Sequence, residues 1–203
     1  LQEQLGERKK ALLKQAGELT FADDRLEEAI GYLSAGGLET ELVPILRKAG
    51  RRTLLQGRWQ TVAAWLQRLS KEIITADPWL SLFQAAIELY RGRPSEAESW
   101  VSSIEERFRD NGDRLGLGES QILKARILRY RGCHQRCLQL LKAAEVNLNE
   151  ATTKRRFDLL LEKCYCLIVT GHSQESEQIL KQALKSIHTK NLGFLQASIF
   201  EWL

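Results

Sequence analysis

The sequence predicts an all-α chain, an α-α superhelix of about five stacked helix pairs with a truncated sixth, and three observations predict it. The first is a pattern that recurs five times around a turn residue: Asp24, Gly57, Gly92, Gly132 and Gly171. Seven residues before each stand Gly17, Gly50, Ala85, Ala125 and Cys164; five after stand Ala29, Val62, Ala97, Cys137 and Ser176; nine after stand Leu33, Leu66, Val101, Leu141 and Leu180. The second is the spacing of those turns, 33 to 40 residues, which marks a repeat array rather than one closed core. The third is composition: three prolines and no alternation of β-branched residues. Small residues at −7 and +5 let two antiparallel helices approach, and the aliphatic residue at +9 lies one turn beyond +5 on the same face.

The elements follow in order. Leu5 to Phe21 reads as a first helix, with Asp23-Asp24 as a cap before Leu26 to Leu33, which Gly36-Gly37 ends. Glu39 to Gln56 is a long helix with Pro44 in its first turns, and Val62 to Leu69 is its partner. Asp77-Pro78 supplies a cap and a first-position proline for Trp79 to Tyr90. Pro94 opens a helix running through Trp100 and Ile104 to about Arg109. Asp110 to Asp113 is a loop, and Gly116 and Gly118 lengthen it. Gln121–Arg131 with Gln135–Leu148, and Arg155–Thr170 with Ser173–Ile187, make the last two pairs; Phe194 to Leu203 begins a sixth. The approximate units are 5–37, 38–72, 77–111, 116–150 and 153–190, in one helical-repeat domain spanning 1–203. A chain without Met that stops inside a helical pattern is expected to be a piece of a longer protein.

Charged residues at 28% and hydrophobic ones at 43% suit a folded chain, and the net charge of +4 is too small and too interleaved to predict a nucleic-acid surface. The basic clusters Arg47-Lys48/Arg51-Arg52 and Lys154-Arg155-Arg156 read as solvated helix faces flanked by acids. No apolar run is long enough for a membrane span, and no secretory signal is visible, so a reducing, cytoplasmic setting is expected. No Gly-x-x-x-x-Gly-Lys-Ser/Thr loop occurs, and Gly112 to Gly118 lacks the lysine and the preceding strand of a phosphate cradle. His134, His172 and His188 fall in turns or near a helix end with no partner motif, so no enzyme activity is expected in this stretch. The four cysteines, Cys133, Cys137, Cys164 and Cys166, read as core thiols, because Cys137 and Cys164 occupy small packing positions; a metal site and a redox pair are the competing readings.

The repeat length and packing positions resemble the tetratricopeptide repeat, most closely at Asp24 to Ala29, Gly92 to Ala97 and Gly171 to Ser176, with Val62, Cys137 and Ser176 where that family usually has Ala. A narrower resemblance rests on Leu26-Glu27-Glu28-Ala29-Ile30, Ser34-Ala35-Gly36-Gly37, Leu54 to Arg58, Trp65 to Ile73, Asp77 to Leu82 and Gly92 to Ala97. That order is similar to the repeat region of MalT-like, LuxR-type bacterial transcription regulators, which are signal-transduction ATPases. The resemblance implies a sensing domain that binds a small-molecule inducer or a regulatory protein, or self-associates. ATP and DNA would then be handled by domains elsewhere; no cofactor is expected here. The alternative is a repeat scaffold for protein partners with no small-molecule role. Carrying over the family's groove positions implies a concave face with Arg47 and Arg51, then Trp79, Leu82 and Tyr90, then Glu119, Arg126, Arg129 and Tyr130, then Asp158, Leu161 and Tyr165. Arginine, carboxylate and aromatic groups together can hold a sugar, a peptide or an anionic metabolite. Trp59, Trp65 and Trp100 read as packing residues, whereas Trp79 is expected to face the groove.

Overall fold

A computed structural model describes residues 2–148 and 153–189, and these are helical with no strand among them. They form α1 (Gln2–Ala22), α2 (Leu26–Ala35), α3 (Glu39–Leu55), α4 (Trp59–Leu66), α5 (Lys71–Ala76), α6 (Pro78–Tyr90), α7 (Pro94–Ser102), α8 (Ile104–Asp110), α9 (Arg114–Tyr130), α10 (His134–Asn147), α11 (Thr153–Val169) and α12 (Ser173–Thr189). The chain divides into two compact units, Leu1–Ile104 and Glu105–Leu203, so α8 begins at the division. In the first unit each helix packs on its neighbour from α1 to α4, then α6 packs on α3, α4, α5 and α7. In the second, α9 packs on α10, α10 on α11 and α11 on α12, while α9 also reaches α11. The expected sixth pair, from Phe194 onward, lies outside the described residues, as do Trp202 and the side chain of His188.

One local device closes each hairpin. The five turn residues all have positive φ, from 59° at Asp24 to 82° at Gly171. The residue after each turn donates its N–H to the carbonyl five positions back: Arg25 to Thr20 at 2.9 Å, Arg58 to Thr53 at 3.1 Å, Arg93 to Glu88 at 2.9 Å, Cys133 to Leu128 at 2.9 Å and His172 to Leu167 at 2.8 Å. This is the left-handed helix stop, in which the bond satisfies a carbonyl that the helix end would leave open. Gly37 and Gly112 repeat it between pairs, with φ of 62° and 66°. The residue that completes the stop also starts the next helix; Arg25, Arg58, Arg93 and Cys133 hold that place without a side-chain cap, whereas Asp113, after Gly112, caps α9. Asp24 is therefore not the expected helix cap but the left-handed residue itself, a conformation Asp tolerates better than most side chains.

The packing positions are closed. Ala29, Leu33, Val62, Leu66, Ala85, Ala97, Val101, Ala125, Cys137, Leu141, Cys164, Ser176 and Leu180 are each 0 to 2% exposed. In the fifth pair the close approach is visible directly: the Ser176 hydroxyl donates to the carbonyl of Cys164 across the hairpin at 3.4 Å. Gly17 and Gly50 are small for a different reason in each case. A Cβ on Gly17 would stand 2.6 Å from Leu33 of the same pair, and one on Gly50 would stand 2.6 Å from the ring of Phe83, on the following pair.

Four boundaries differ from expectation. The partner of α3 starts at Trp59 rather than Val62, and α5 is an extra short helix before Asp77. The helix after Gly92 breaks at Ser103 into α7 and α8. Gly116 and Gly118 do not extend a loop. They are buried in the first turns of α9, where the Asp113 carboxylate accepts the Gly116 N–H at 2.8 Å. A Cβ at Gly116 would collide with the Phe108 ring, and one at Gly118 would lie 2.7 Å from Leu148. These glycines mark close approach, so the longer third step comes from a longer α9 preceded by α8.

The Asp77-Pro78 start behaves as expected and carries more than a cap. Asp77 is buried; its Oδ1 accepts the N–H of Trp79 at 2.9 Å and of Leu80 at 3.0 Å, and its Oδ2 accepts Nε of Arg47 at 2.7 Å. One carboxylate thereby fixes the start of α6 against α3.

Two glycine substitutions separate the two roles. Gly92→Ala meets nothing within 4 Å, so it should cost only the left-handed backbone penalty, about 1–2 kcal/mol. Gly50→Ala should cost about 1–3 kcal/mol through overpacking, and Phe83→Leu in that background should recover part of it, whereas it should recover nothing for Gly92→Ala. Urea unfolding followed by the fluorescence of Trp59, Trp65, Trp79 and Trp100, all in the first unit, measures both.

Candidate ligand site

Helical spacing on α11 puts Asp158, Leu161, Glu162 and Tyr165 on one stripe, at i, i+3, i+4 and i+7. Arg126 and Arg129 project from the facing side of α9. These six residues line a cavity of about 330 Å³ within the second unit. Five of them, Arg126, Arg129, Asp158, Leu161 and Tyr165, are groove positions named from the sequence; Glu162 is the member that was not. Its place one turn from Asp158 on that stripe was legible, but its pairing with Arg126 was not.

Glu162 ties the cavity together. Its Oε1 accepts Nε of Arg126 at 2.7 Å, and its Oε2 lies 3.2 Å from Nε of Arg129. The Arg129 guanidinium is also held between two rings, 5.1 Å from the centroid of Tyr130 and 4.9 Å from that of Tyr165. Face contacts of this kind contribute about 0.5–2 kcal/mol each, depending on desolvation, and they fix a plane that a lone ion pair would leave free to turn. Tyr165 is backed in turn by His134, the first residue of α10, with ring centroids 6.2 Å apart. Two guanidinium groups and two carboxylates leave the wall without net charge. Leu161 and the tyrosine face supply apolar surface.

Glu119 does not open onto the cavity. It is buried at the start of α9 and pairs with buried Arg155 of α11, Nε to Oε1 at 2.9 Å, while Arg155 also stands 4.0 Å from Asp158. This ion pair joins the same two helices that form the cavity. Arg155, expected to belong to a solvated basic face, instead turns inward because Glu119 awaits it there. Tyr130 is exposed beyond the cavity rim.

In the first unit the named positions have other duties. Arg47 holds Asp77. Arg51 is half-buried on α3. Trp79 packs against the core and the Phe83 ring, centroids 6.0 Å apart, so it does not stand free in a groove. Leu82 is buried. Tyr90 is exposed and stacks nearly parallel on Trp59, at 6.1 Å and 8°. A second hollow of about 220 Å³ lies by Asp24, Glu27, Arg52 and Arg58, whose charges are already paired: Arg58 with Glu27 at 3.0 Å and Arg52 with Asp24 at 3.7 Å. Lys48 also binds Asp24, at 2.8 Å, and lowers its carboxyl below the usual carboxylate range. Most of the Arg47 to Arg52 cluster is thus engaged by acids of the chain.

Three of the four cysteines are buried and Cys133 is exposed. Among the described residues no group of three or more His, Cys, Asp or Glu side chains is arranged to hold a metal, and no helix is long and apolar enough to cross a membrane. No family model, curated protein or solved structure matches the chain.

The Glu119–Arg155 pair makes a clear test of what joins α9 to α11. Glu119→Leu should destabilise the second unit by about 3 kcal/mol, because a buried guanidinium loses its main partner. The double variant Glu119→Leu/Arg155→Met should recover most of that loss. Amide hydrogen exchange in α9 and α11 reports both, and equal losses in the single and double variants would show that packing, not charge, holds the helices.

Proposed function

We propose that the protein is a sensing module of helical repeats, and that its α9–α11 cavity takes a small polar ligand with no net charge. The observation that carries this reading is the wall itself: two arginines and two carboxylates that already balance, set beside a tyrosine face. A polyanion such as a nucleotide would meet Glu162 and Asp158 as well as the arginines, and like charges at close range oppose binding. A neutral polyol, a zwitterion or a peptide backbone can bond to both signs at once. The resemblance of Leu26 to Ala97 to MalT-like regulators supports the wider setting: a cytoplasmic transcription regulator whose ATP- and DNA-handling domains lie elsewhere, with ligand binding biasing its assembly.

Differential scanning fluorimetry against sugars, amino acids, and mono- and dicarboxylates tests the site. A neutral or zwitterionic compound should raise the unfolding temperature, since a ligand bound only by the folded state stabilises it. Arg126→Met and Tyr165→Leu should each weaken that compound's binding at least tenfold, a loss of about 1.4 kcal/mol. A compound whose binding both variants leave unchanged binds somewhere else.

A second reading has its own support. In the second unit Tyr130 and Val169 each stand two residues before a turn glycine, and both are exposed. An apolar residue repeated at one exposed repeat position is a feature of protein-docking surfaces. If a protein partner is captured, Tyr130→Ser abolishes its capture and no compound shifts the unfolding temperature, the module is a scaffold rather than a ligand sensor.

A further inference from the structure

Two buried thiols meet where two helix pairs join. Cys137 lies on α10 and Cys166 on α11; both are fully buried, and their sulfurs share a hydrogen bond at 3.1 Å. They come from consecutive pairs, 29 residues apart in the chain, so nothing local forces them together. Cys137 is the small packing residue of its hairpin. Its counterparts are Ala29, Val62, Ala97 and Ser176, so the position accepts several small side chains and does not itself demand sulfur. We infer that Cys137 and Cys166 form a reversible intramolecular disulfide that pins α10 to α11, with a small peroxide as the oxidant and a dithiol as the reductant.

The geometry requires little movement. A disulfide bond is about 2.05 Å long, so the sulfurs must close by about 1 Å from their 3.1 Å separation. Electrostatics favour one order of events. Cys166 loses its proton first, because the hydrogen bond with Cys137 lowers its pKa although burial opposes this. Cys137 is pushed up, by that same hydrogen bond, by burial and by the charge on Cys166, and it keeps its proton. The Arg129 guanidinium favours the thiolate, whereas Glu162 opposes it.

In the first step the Cys166 sulfur attacks one peroxide oxygen and the O–O bond breaks. This gives a sulfenic acid on Cys166 and, with the thiol proton, one water. In the second step the Cys137 sulfur attacks the Cys166 sulfur and displaces the hydroxyl, which leaves as a second water with the Cys137 proton. Two electrons pass from the two sulfurs to the peroxide, and two from a dithiol restore both thiols. Burial selects the oxidant: hydrogen peroxide can penetrate where a bulky disulfide cannot, and the dithiol reaches the bond only when the α10–α11 seam opens locally. Tyr165 directly precedes Cys166, and Glu162 lies one turn before it, so the bond would fix the helix that carries much of the cavity wall. The thiol chemistry stands independently of whatever the cavity binds.

The test uses the whole chain, reduced and then treated with hydrogen peroxide. Two of the four thiols should be lost to titration under denaturing conditions, and a tryptic digest should yield one cross-linked pair of peptides containing Cys137 and Cys166. A dithiol should restore all four thiols, and the oxidised chain should unfold at higher denaturant. Cys137→Ala, which the repeat accommodates, should abolish the cross-link and leave Cys166 open to sulfinic acid formation. Cys133→Ser and Cys164→Ser should leave the cross-link intact. Retention of all four thiols, a cross-link through Cys133 between chains, or equal overoxidation of Cys166 with and without Cys137 would each overturn the inference.

Discussion

Each hairpin depends on a left-handed turn residue that lets the N–H after it bond to the carbonyl five positions earlier. That single bond stops the first helix, and its donor residue begins the second. The two helices are therefore antiparallel neighbours with almost no loop between them, and their facing side chains must be small. The preference for small residues at −7 and +5 follows from the turn, with Val62 the largest of them, while Gly50 is kept small by Phe83 of the next pair. So does the aliphatic residue at +9, which is one turn further along the same closed seam. Where the turn is not glycine, at Asp24, the positive φ is kept by a residue able to bear it.

The same economy explains where charge is buried. Close helix packing leaves few buried positions for charged groups, and two of the buried acids are paired across elements: Asp77 with Arg47 and two amides, Glu119 with Arg155. A buried carboxylate without a partner would cost several kcal/mol, so each acid and its base are constrained together. In the second unit this constraint has a consequence for chemistry. The Glu119–Arg155 pair and the Glu162 bridge hold α9 and α11 at a separation that leaves a hollow, lined by side chains already fixed in orientation. Pre-set polar groups of this kind spare a ligand the entropic cost of ordering them.

Part of the candidate site was legible from residue order. Asp158, Leu161 and Tyr165 share a helix face by spacing, and Arg126 and Arg129 lie on the corresponding face of the preceding first helix. The first-unit positions fared differently because the repeat template knows the face and not the neighbours. Trp79 is on the expected helix, yet Phe83 and the core take up its ring; Leu82 has the expected place but no access to solvent. Glu162 and Arg155 were missed as site residues for the converse reason. Their roles come from partners 36 residues away, Arg126 and Glu119, and no local pattern announces a pair at that distance.

By itself the sequence determined the helix pairs, their turns and the residues sealed between them, since all of these are set by interactions within a few turns of chain. Backbone conformation at a glycine, or close approach at an alanine, is written locally. Only the tertiary structure decided which charges face one another, that Gly116 and Gly118 belong inside a helix because Phe108 and Leu148 lie over them, and that two cysteines from different pairs come within 3.1 Å. Those outcomes depend on the distance and rotation between stacked helices, which are set by the summed packing of many side chains and have no signature at any single position.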